Sequence, residues 1–200
     1  MINNFVEILT KPTSFFKSVK HWSYTDVLKY LFIILFLPYL LYFYISTAVE
    51  DGFTILVFII SLLISLLSVL VSPFVSSLVT HIGVLILGGK GYKKTFLATA
   101  NSLSIAAPYL IVSALILLSA LRTDEITFAI LTIVTLIIMF ISWVHALVTE
   151  IIGLKIVHKF DTFKAIVAAL VIPLAITVLL VIFVAFIVLI AVLLFGLVLF

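Results

Sequence analysis

Four residues able to donate, accept or carry a proton, His81, Asn101, His145 and Glu150, stand inside or at the edge of runs that otherwise hold no charge. An ionisable group in such surroundings is costly unless paired or wetted, so each is a candidate for function. His81 and Glu150 carry the sharpest chemistry: a carboxylate beside an imidazole strengthens the ring's hold on a proton, and the two could relay protons. The plainer alternative is that both reach headgroup water or bond a neighbouring helix. His145, with His81, Glu150 and His158, makes a loose set of metal-ligand types. None shows the His-x-x-x-His or Glu-x-x-His spacing that sets two ligands on one helical face, so no metal or other cofactor is expected. Asn101, with Ser102 and Ser104 beside it, reads as an amide fastening helices at about 1 kcal/mol or less, with a substrate contact as the alternative.

Covalent catalysis finds no support. Residues 83–91 look superficially like a phosphate loop, but Val84 stands where the upstream glycine is required and Gly91 replaces the metal-binding Ser or Thr. There is no His-Glu-x-x-His, no Gly-x-Ser-x-Gly, and no pair of aspartates within the uncharged runs. No cysteine is present, which excludes disulfides, thiolate metal sites and acylated thiols. The chain reads as a non-enzyme.

The elements that must position the four polar residues follow from the charge-free runs. Hydrophobic residues make up 66% of the chain and charged ones 10%, with a mean hydropathy of +1.53. Each run reaches the roughly 20 apolar residues needed to cross a hydrocarbon core about 30 Å thick. Stretches such as 178–195 are continuously apolar, which excludes the period-two alternation of a membrane barrel. The expected fold is an all-α polytopic membrane bundle: an N-terminal amphipathic interfacial helix in residues 1–26, then five transmembrane helices in 27–200. The spans are expected at about 27–49, 53–87, 96–121, 126–152 and 165–200.

Charge gives the expected orientation. Ten lysines fall in three segments (Lys11, Lys17, Lys20 and Lys29; Lys90, Lys93 and Lys94; Lys155, Lys159 and Lys164), joined by the acids Glu7, Asp26, Glu150 and Asp161. The alternate segments hold Arg122 alone against Glu50, Asp51, Asp124 and Glu125. By the positive-inside rule the N-terminus is cytoplasmic and the C-terminus lies on the opposite side, with no signal peptide needed. Anionic headgroups are the partners this basic face would meet, and nothing points to nucleic acid.

Spans 2 and 5 are too long to be straight, at about 52 and 54 Å for a 1.5 Å rise. Pro73, Pro108 and Pro173 therefore predict kinks at or just before themselves. In the N-terminal segment Phe5, Ile8, Leu9, Phe15, Phe16, Val19 and Trp22 recur near a helical period. Pro12 divides that segment, with a second helix beginning near residues 10–13. Its apolar face could lie on the headgroup boundary or on the protein's own cytoplasmic face.

Leu78-Val79-Thr80-His81-Ile82 also matches Leu147-Val148-Thr149-Glu150-Ile151, each followed by a lysine-bearing loop and a proline-containing span. Spans 2–3 and 4–5 would then form a parallel repeat, with His81 and Glu150 at equivalent depths. Gly88, Gly89 and Gly91 around Lys90 read as a tight cytoplasmic turn.

The run Leu87-Gly88-Gly89-Lys90-Gly91-Tyr92, with His81 before it, Thr95-Phe96 after it and Pro108 in the next span, resembles the central motif of the Yip domain family (Ypt-interacting proteins). Pro12, Phe15 and Phe16 in Lys11-Pro12-Thr13-Ser14-Phe15-Phe16 look like that family's opening pattern. Trp143, Gly153, His158 and Lys164-Ala165 also fall where the family has similar residues. The resemblance covers nearly the whole chain, departs at Asn101, where the family would carry a Tyr, and points to a minimal, prokaryotic type of member in a plasma membrane. It implies five spans and a non-enzymatic trafficking-type adaptor, whose eukaryotic relatives bind one another and small GTPases of the Rab type. The expected function is thus a Yip-like membrane scaffold presenting its basic face to partners or lipids, with homo-oligomerisation. The alternative is a transporter or channel for a small solute, lipid or ion, using the polar residues of spans 2–5.

Overall fold

Within hydrocarbon a backbone must satisfy its own polar groups, and helix is how these uncharged runs do so. A computed structural model describes residues 2–51, 54–120 and 123–196, with no strand among them. The side chains of Glu50 and Asp51, all of Arg122, and residues 53, 121 and 197–200 at the ends of expected spans lie outside the described residues. The helices are α1 (Ile2–Thr10), α2 (Pro12–Ser18), α3 (Tyr24–Asp51), α4 (Ile55–Leu70), α5 (Ser72–Ile86), α6 (Tyr92–Ser102), α7 (Ala106–Ala120), α8 (Glu125–His158), α9 (Thr162–Ile166) and α10 (Ile172–Gly196).

Five units are long and apolar enough to cross a membrane: α3, α4 with α5, α6 with α7, α8, and α9 with α10. Several span ends shift by a few residues from the sequence reading, and two move furthest outward. The third span starts at Tyr92 rather than 96, because Gly91, at a φ of 90°, turns the chain directly into α6. The fourth continues past 152 to His158 and stops only where Lys159 takes a left-handed conformation.

Each compound span changes helical form near a proline. A turn at Val71 separates α4 from α5, and Pro73 is the second residue of α5. A 3₁₀ turn, Leu103–Ile105, joins α6 to α7, whose third residue is Pro108. A π-helical turn, Val167–Val171, joins α9 to α10, and Pro173 is the second residue of α10. All three rings thus occupy a first turn, where the missing N–H leaves least unpaired. Pro38 lies inside α3 without ending it.

At the N-terminal end, Pro12 opens α2, and Ile8, Phe15, Phe16 and Val19 are buried with Val27, Tyr30 and Phe96. Phe15 meets Trp22 and Phe16 edge-on, with ring centroids 6.0 and 5.3 Å apart. Those side chains spend their apolar surface on the protein, whereas Ile2 and Val6 of α1 stay exposed. A second core of small residues, Ala98, Ala165, Ala168 and Ala169 with Val84 and Leu154, lies between α5, α6, α8 and α9. Past Thr177, α10 leaves the bundle: residues 178–188 are all exposed and all apolar, a helix surface suited to hydrocarbon rather than water.

Candidate functional site

Two polar layers cross the bundle toward its lysine-bearing end, where α6 packs against both α5 and α8. Thr95 and Thr99 stand one turn apart on α6, Thr80 and His81 are consecutive on α5, and Glu150 and His158 lie about two turns apart on α8. In the layer nearer the lysine-bearing loops, Thr95 Oγ1 lies 2.9 Å from His81 Nδ1 and 3.0 Å from His158 Nε2. One hydroxyl carries one proton, so with both rings neutral it donates to one and accepts an N–H from the other. Because His81 faces the hydroxyl with Nδ1 and His158 with Nε2, the two imidazoles are thereby held in the same tautomer, both Nε2–H or both Nδ1–H.

In the second layer Glu150 Oε1 accepts from Thr80 Oγ1 at 2.9 Å and from Thr99 Oγ1 at 2.7 Å. Two hydroxyl donors thus converge on the two lone pairs of one oxygen, and together they tie α5 and α6 to α8.

His81 and Glu150 therefore bond different partners and not each other, and of the two alternatives the geometry matches the plainer one, in which each bonds a neighbouring helix. Consecutive residues on a helix point about 100° apart, which sends Thr80 to the carboxylate and His81 to Thr95. His145 is held elsewhere, its Nδ1 3.0 Å from Tyr109 Oη, joining α8 to α7. Asn101 corrects an expectation. It is fully buried, but its Nδ2 donates to Leu97 O one turn back at 2.8 Å, so the amide does not bridge helices through that group. The bridge at this depth is Tyr30 Oη donating to Ser104 Oγ at 3.0 Å.

Among the hydroxyl partners the sequence left Thr99, Tyr30 and Tyr109 unmarked, and Ser104 entered only beside Asn101. Thr80 entered only through the repeat and Thr95 only through the family motif. The pattern that could have pointed to them is Thr95-x-x-x-Thr99, two hydroxyls on one face of α6.

Glycines bring these helices close. A Cβ on Gly83 would lie 3.0 Å from Ala168 Cα, and one on Gly153 would lie 2.8 Å from Phe16 Cζ and 3.0 Å from Ala98 Cβ. The approach is reciprocal: α5 meets the returning arm of the second hairpin, and α8 meets that of the first.

Below the Glu150 layer, away from the lysine-bearing loops, the hairpins part to leave a cleft of about 510 Å³. Thr80, Thr99 and Glu150 form its polar end, and Trp143, Leu147 and Pro173 its apolar wall. Lining residues Val75, Trp143 and Leu174 are 55%, 53% and 58% exposed, so the cleft opens sideways onto the apolar surface of the bundle.

At the lysine-bearing end, α5 closes with a hydrogen-bonded turn: Gly88 N donates to Leu85 O at 3.0 Å and Gly89 N to Val84 O at 2.8 Å, with Gly88 at a φ of 81°. This pairing satisfies the last carbonyls of the helix and needs a residue at ease in the left-handed region. A Cβ on Gly89 would lie 2.7 Å from Phe160 Cζ, so the α5–α6 and α8–α9 turns touch. Lys90, Lys93 and Lys94 of one loop and Lys159 and Lys164 of the other are exposed, whereas Lys155 Nζ is engaged by Thr162 Oγ1 at 2.8 Å. No group of three or more His, Asp or Glu residues able to hold a metal occurs among the described residues.

Compared with known proteins, residues 6–186 match the family model described as the Yip1 domain. No curated protein and no solved structure matches the chain.

Proposed function

The chain belongs to the Yip1 domain family, and on that premise we propose that this multi-pass membrane protein is a membrane-organising scaffold that presents a composite basic face to lipids or protein partners. One observation carries the reading: Phe160 against Gly89 joins the two lysine-bearing turns, so five exposed lysines from separate hairpins act as one surface. Each basic side chain near an anionic membrane surface contributes about 1 kcal/mol, enough collectively to gather anionic lipid or seat an acidic partner. The polar groups within the spans support a structural role, since Glu150, His81, His158 and His145 all bond hydroxyls of neighbouring helices. In this reading the N-terminus and both lysine-bearing turns are cytoplasmic, and the hairpins α4–α7 and α8–α10 form a parallel repeat, supported by the reciprocal glycine approaches. Self-association and a small-GTPase partner are the family-implied extensions.

The test is reconstitution in vesicles mixing phosphatidylcholine with phosphatidylglycerol, reading the anionic fraction of the lipid shell by spin label. Enrichment should fall in the combined Lys90→Gln, Lys94→Gln, Lys159→Gln variant; unchanged enrichment rejects the basic platform. The second reading, solute or lipid movement, draws on the cleft between spans 2–5. Specific flux across proteoliposomes that is lost in His81→Ala would replace the scaffold reading.

A further inference from the structure

The cleft beside Glu150 has the ingredients of a ligand site rather than of a packing flaw. Its volume of about 510 Å³ falls within the roughly 300–1,000 Å³ of small-molecule sites, which are apolar with a few convergent polar groups. Thr80, Thr99 and Glu150 gather at one end, with Ser76, Ser102 and Thr177 further along the lining. Glu150 takes both threonine bonds on Oε1, and no described residue bonds Oε2. The lining includes no Lys, Arg or His, so within the cleft the carboxylate has no cation opposite it.

Position narrows the ligand. Glu150 lies eight residues before the end of α8 at His158, about 12 Å along the helix, beneath the headgroup level that the lysines mark. A free, water-borne cation would have to give up its hydration to reach it. An apolar chain attached to that cation can arrive sideways from the bilayer, since Val75, Trp143 and Leu174 flank the cleft on the exposed surface. Thr80 and Thr99 have given their hydroxyl protons to Oε1, which leaves Oε2 at the polar end as an acceptor that neither threonine supplies. A ligand head that donates and carries positive charge complements it; an anionic head is repelled.

We propose that the cleft binds a long-chain amphiphile with a primary amine head, the ammonium on Glu150 Oε2 and the chain along Trp143 and Pro173 out into the bilayer. A single-chain amine and an ethanolamine phospholipid share this chemistry. The site lies about two turns below the basic face and none of its lining residues is a lysine, so either can fail without the other.

Trp143 is the natural reporter, because the only other indole is Trp22, which packs against Phe15 and Tyr30. The full chain carrying Trp22→Phe, in phosphatidylcholine nanodiscs, is titrated with a brominated dodecyl chain bearing an amine, alcohol or carboxylate head. Saturable quenching is expected at about tenfold lower concentration for the amine, the ratio that a charge-assisted hydrogen bond supports. Glu150→Gln, which keeps an acceptor for both threonines, should erase that preference, and Ala146→Phe should block all three probes by filling the cleft. Native mass spectrometry of the unsubstituted chain gives the same comparison without relying on Trp22→Phe. Equal quenching by the three heads, or an amine preference that survives Glu150→Gln, overturns the proposal. Nanodiscs of phosphatidylethanolamine identify the source: loss of amine-probe binding there assigns the site to the diacyl lipid, and retained binding assigns it to a single-chain amine.

Discussion

The ring of Phe160 lies so close to Gly89 that a Cβ on the glycine would sit 2.7 Å from Phe160 Cζ and 2.5 Å from Val84 Cγ1. Val84 is fully buried, so Phe160 is the side that must yield. Gly89→Ala should cost about 1–3 kcal/mol, as overpacking does, and should part the two turns. Gly88→Ala meets nothing within 4 Å but forces a side chain onto a φ of 81°, at about 1–2 kcal/mol. In a chain without native cysteine, oxidative crosslinking of Lys90→Cys with Lys159→Cys separates the two effects. Gly89→Ala should lower the crosslink yield, whereas Gly88→Ala should lower the melting temperature with the yield retained.

Gly153 and Phe16 are related in the same way across a greater sequence distance, with Ala98 as the third partner. Gly153→Ala should destabilise the protein by about 1–3 kcal/mol, and Phe16→Leu, which retracts the ring, should recover part of that loss. A double-mutant cycle in detergent measures this coupling. A coupling of zero would mean that α2 does not rest on α8, and that its apolar face meets lipid instead.

How far these relationships could be read in advance depends on what a linear pattern encodes. Charge-free runs report length and solvent, so the five spans were legible, as was the turn at Gly88, because glycine is the residue its backbone needs. The periodicity of Phe15, Phe16 and Val19 marks an apolar face, but a lipid surface and a protein surface select the same face. The site was least legible because it depends on the rotational phase of three helices. Thr80 and His81 are neighbours in sequence yet enter different layers, and Thr95 differs from a lipid-facing threonine only by what faces it. Asn101 was the amide to notice, whereas the bond between helices at that depth is made by Ser104 and Tyr30.

Asp124 caps α8, accepting from Ile126 N at 3.1 Å and Thr127 N at 3.0 Å. The Thr127 backbone and hydroxyl bonds hold its carboxyl below the usual carboxylate value. A depressed folded-state pKa contributes stability above the unfolded value, near 3.9, and loses it as pH falls through the folded value. Amide exchange at Ile126 and Thr127 should therefore accelerate below about pH 4 relative to the middle of α8. Asp124→Asn should flatten that dependence, since its side-chain oxygen can cap without titrating.

Thr95 is the one hydroxyl shared by two imidazoles, and its removal has consequences that neither histidine alone would show. Thr95→Val keeps the shape but leaves His81 Nδ1 and His158 Nε2 facing a methyl group, at about 1–3 kcal/mol for unmatched polar groups. Bonds between membrane helices average only about 0.6 kcal/mol, and His158 ends its helix near the lysine-bearing loops, so the lower end, about 1 kcal/mol, should prevail. Thr95→Ser retains the hydroxyl and should stay within about 0.5 kcal/mol of the parent. The distinguishing readout is ¹⁵N NMR of the two rings. In the parent chain one ring should be protonated and the other bare at the nitrogen facing Thr95, which, with Nδ1 of His81 and Nε2 of His158 facing it, gives both rings the same tautomer. In Thr95→Val that correlation should vanish, because nothing remains to make one ring's tautomer depend on the other's.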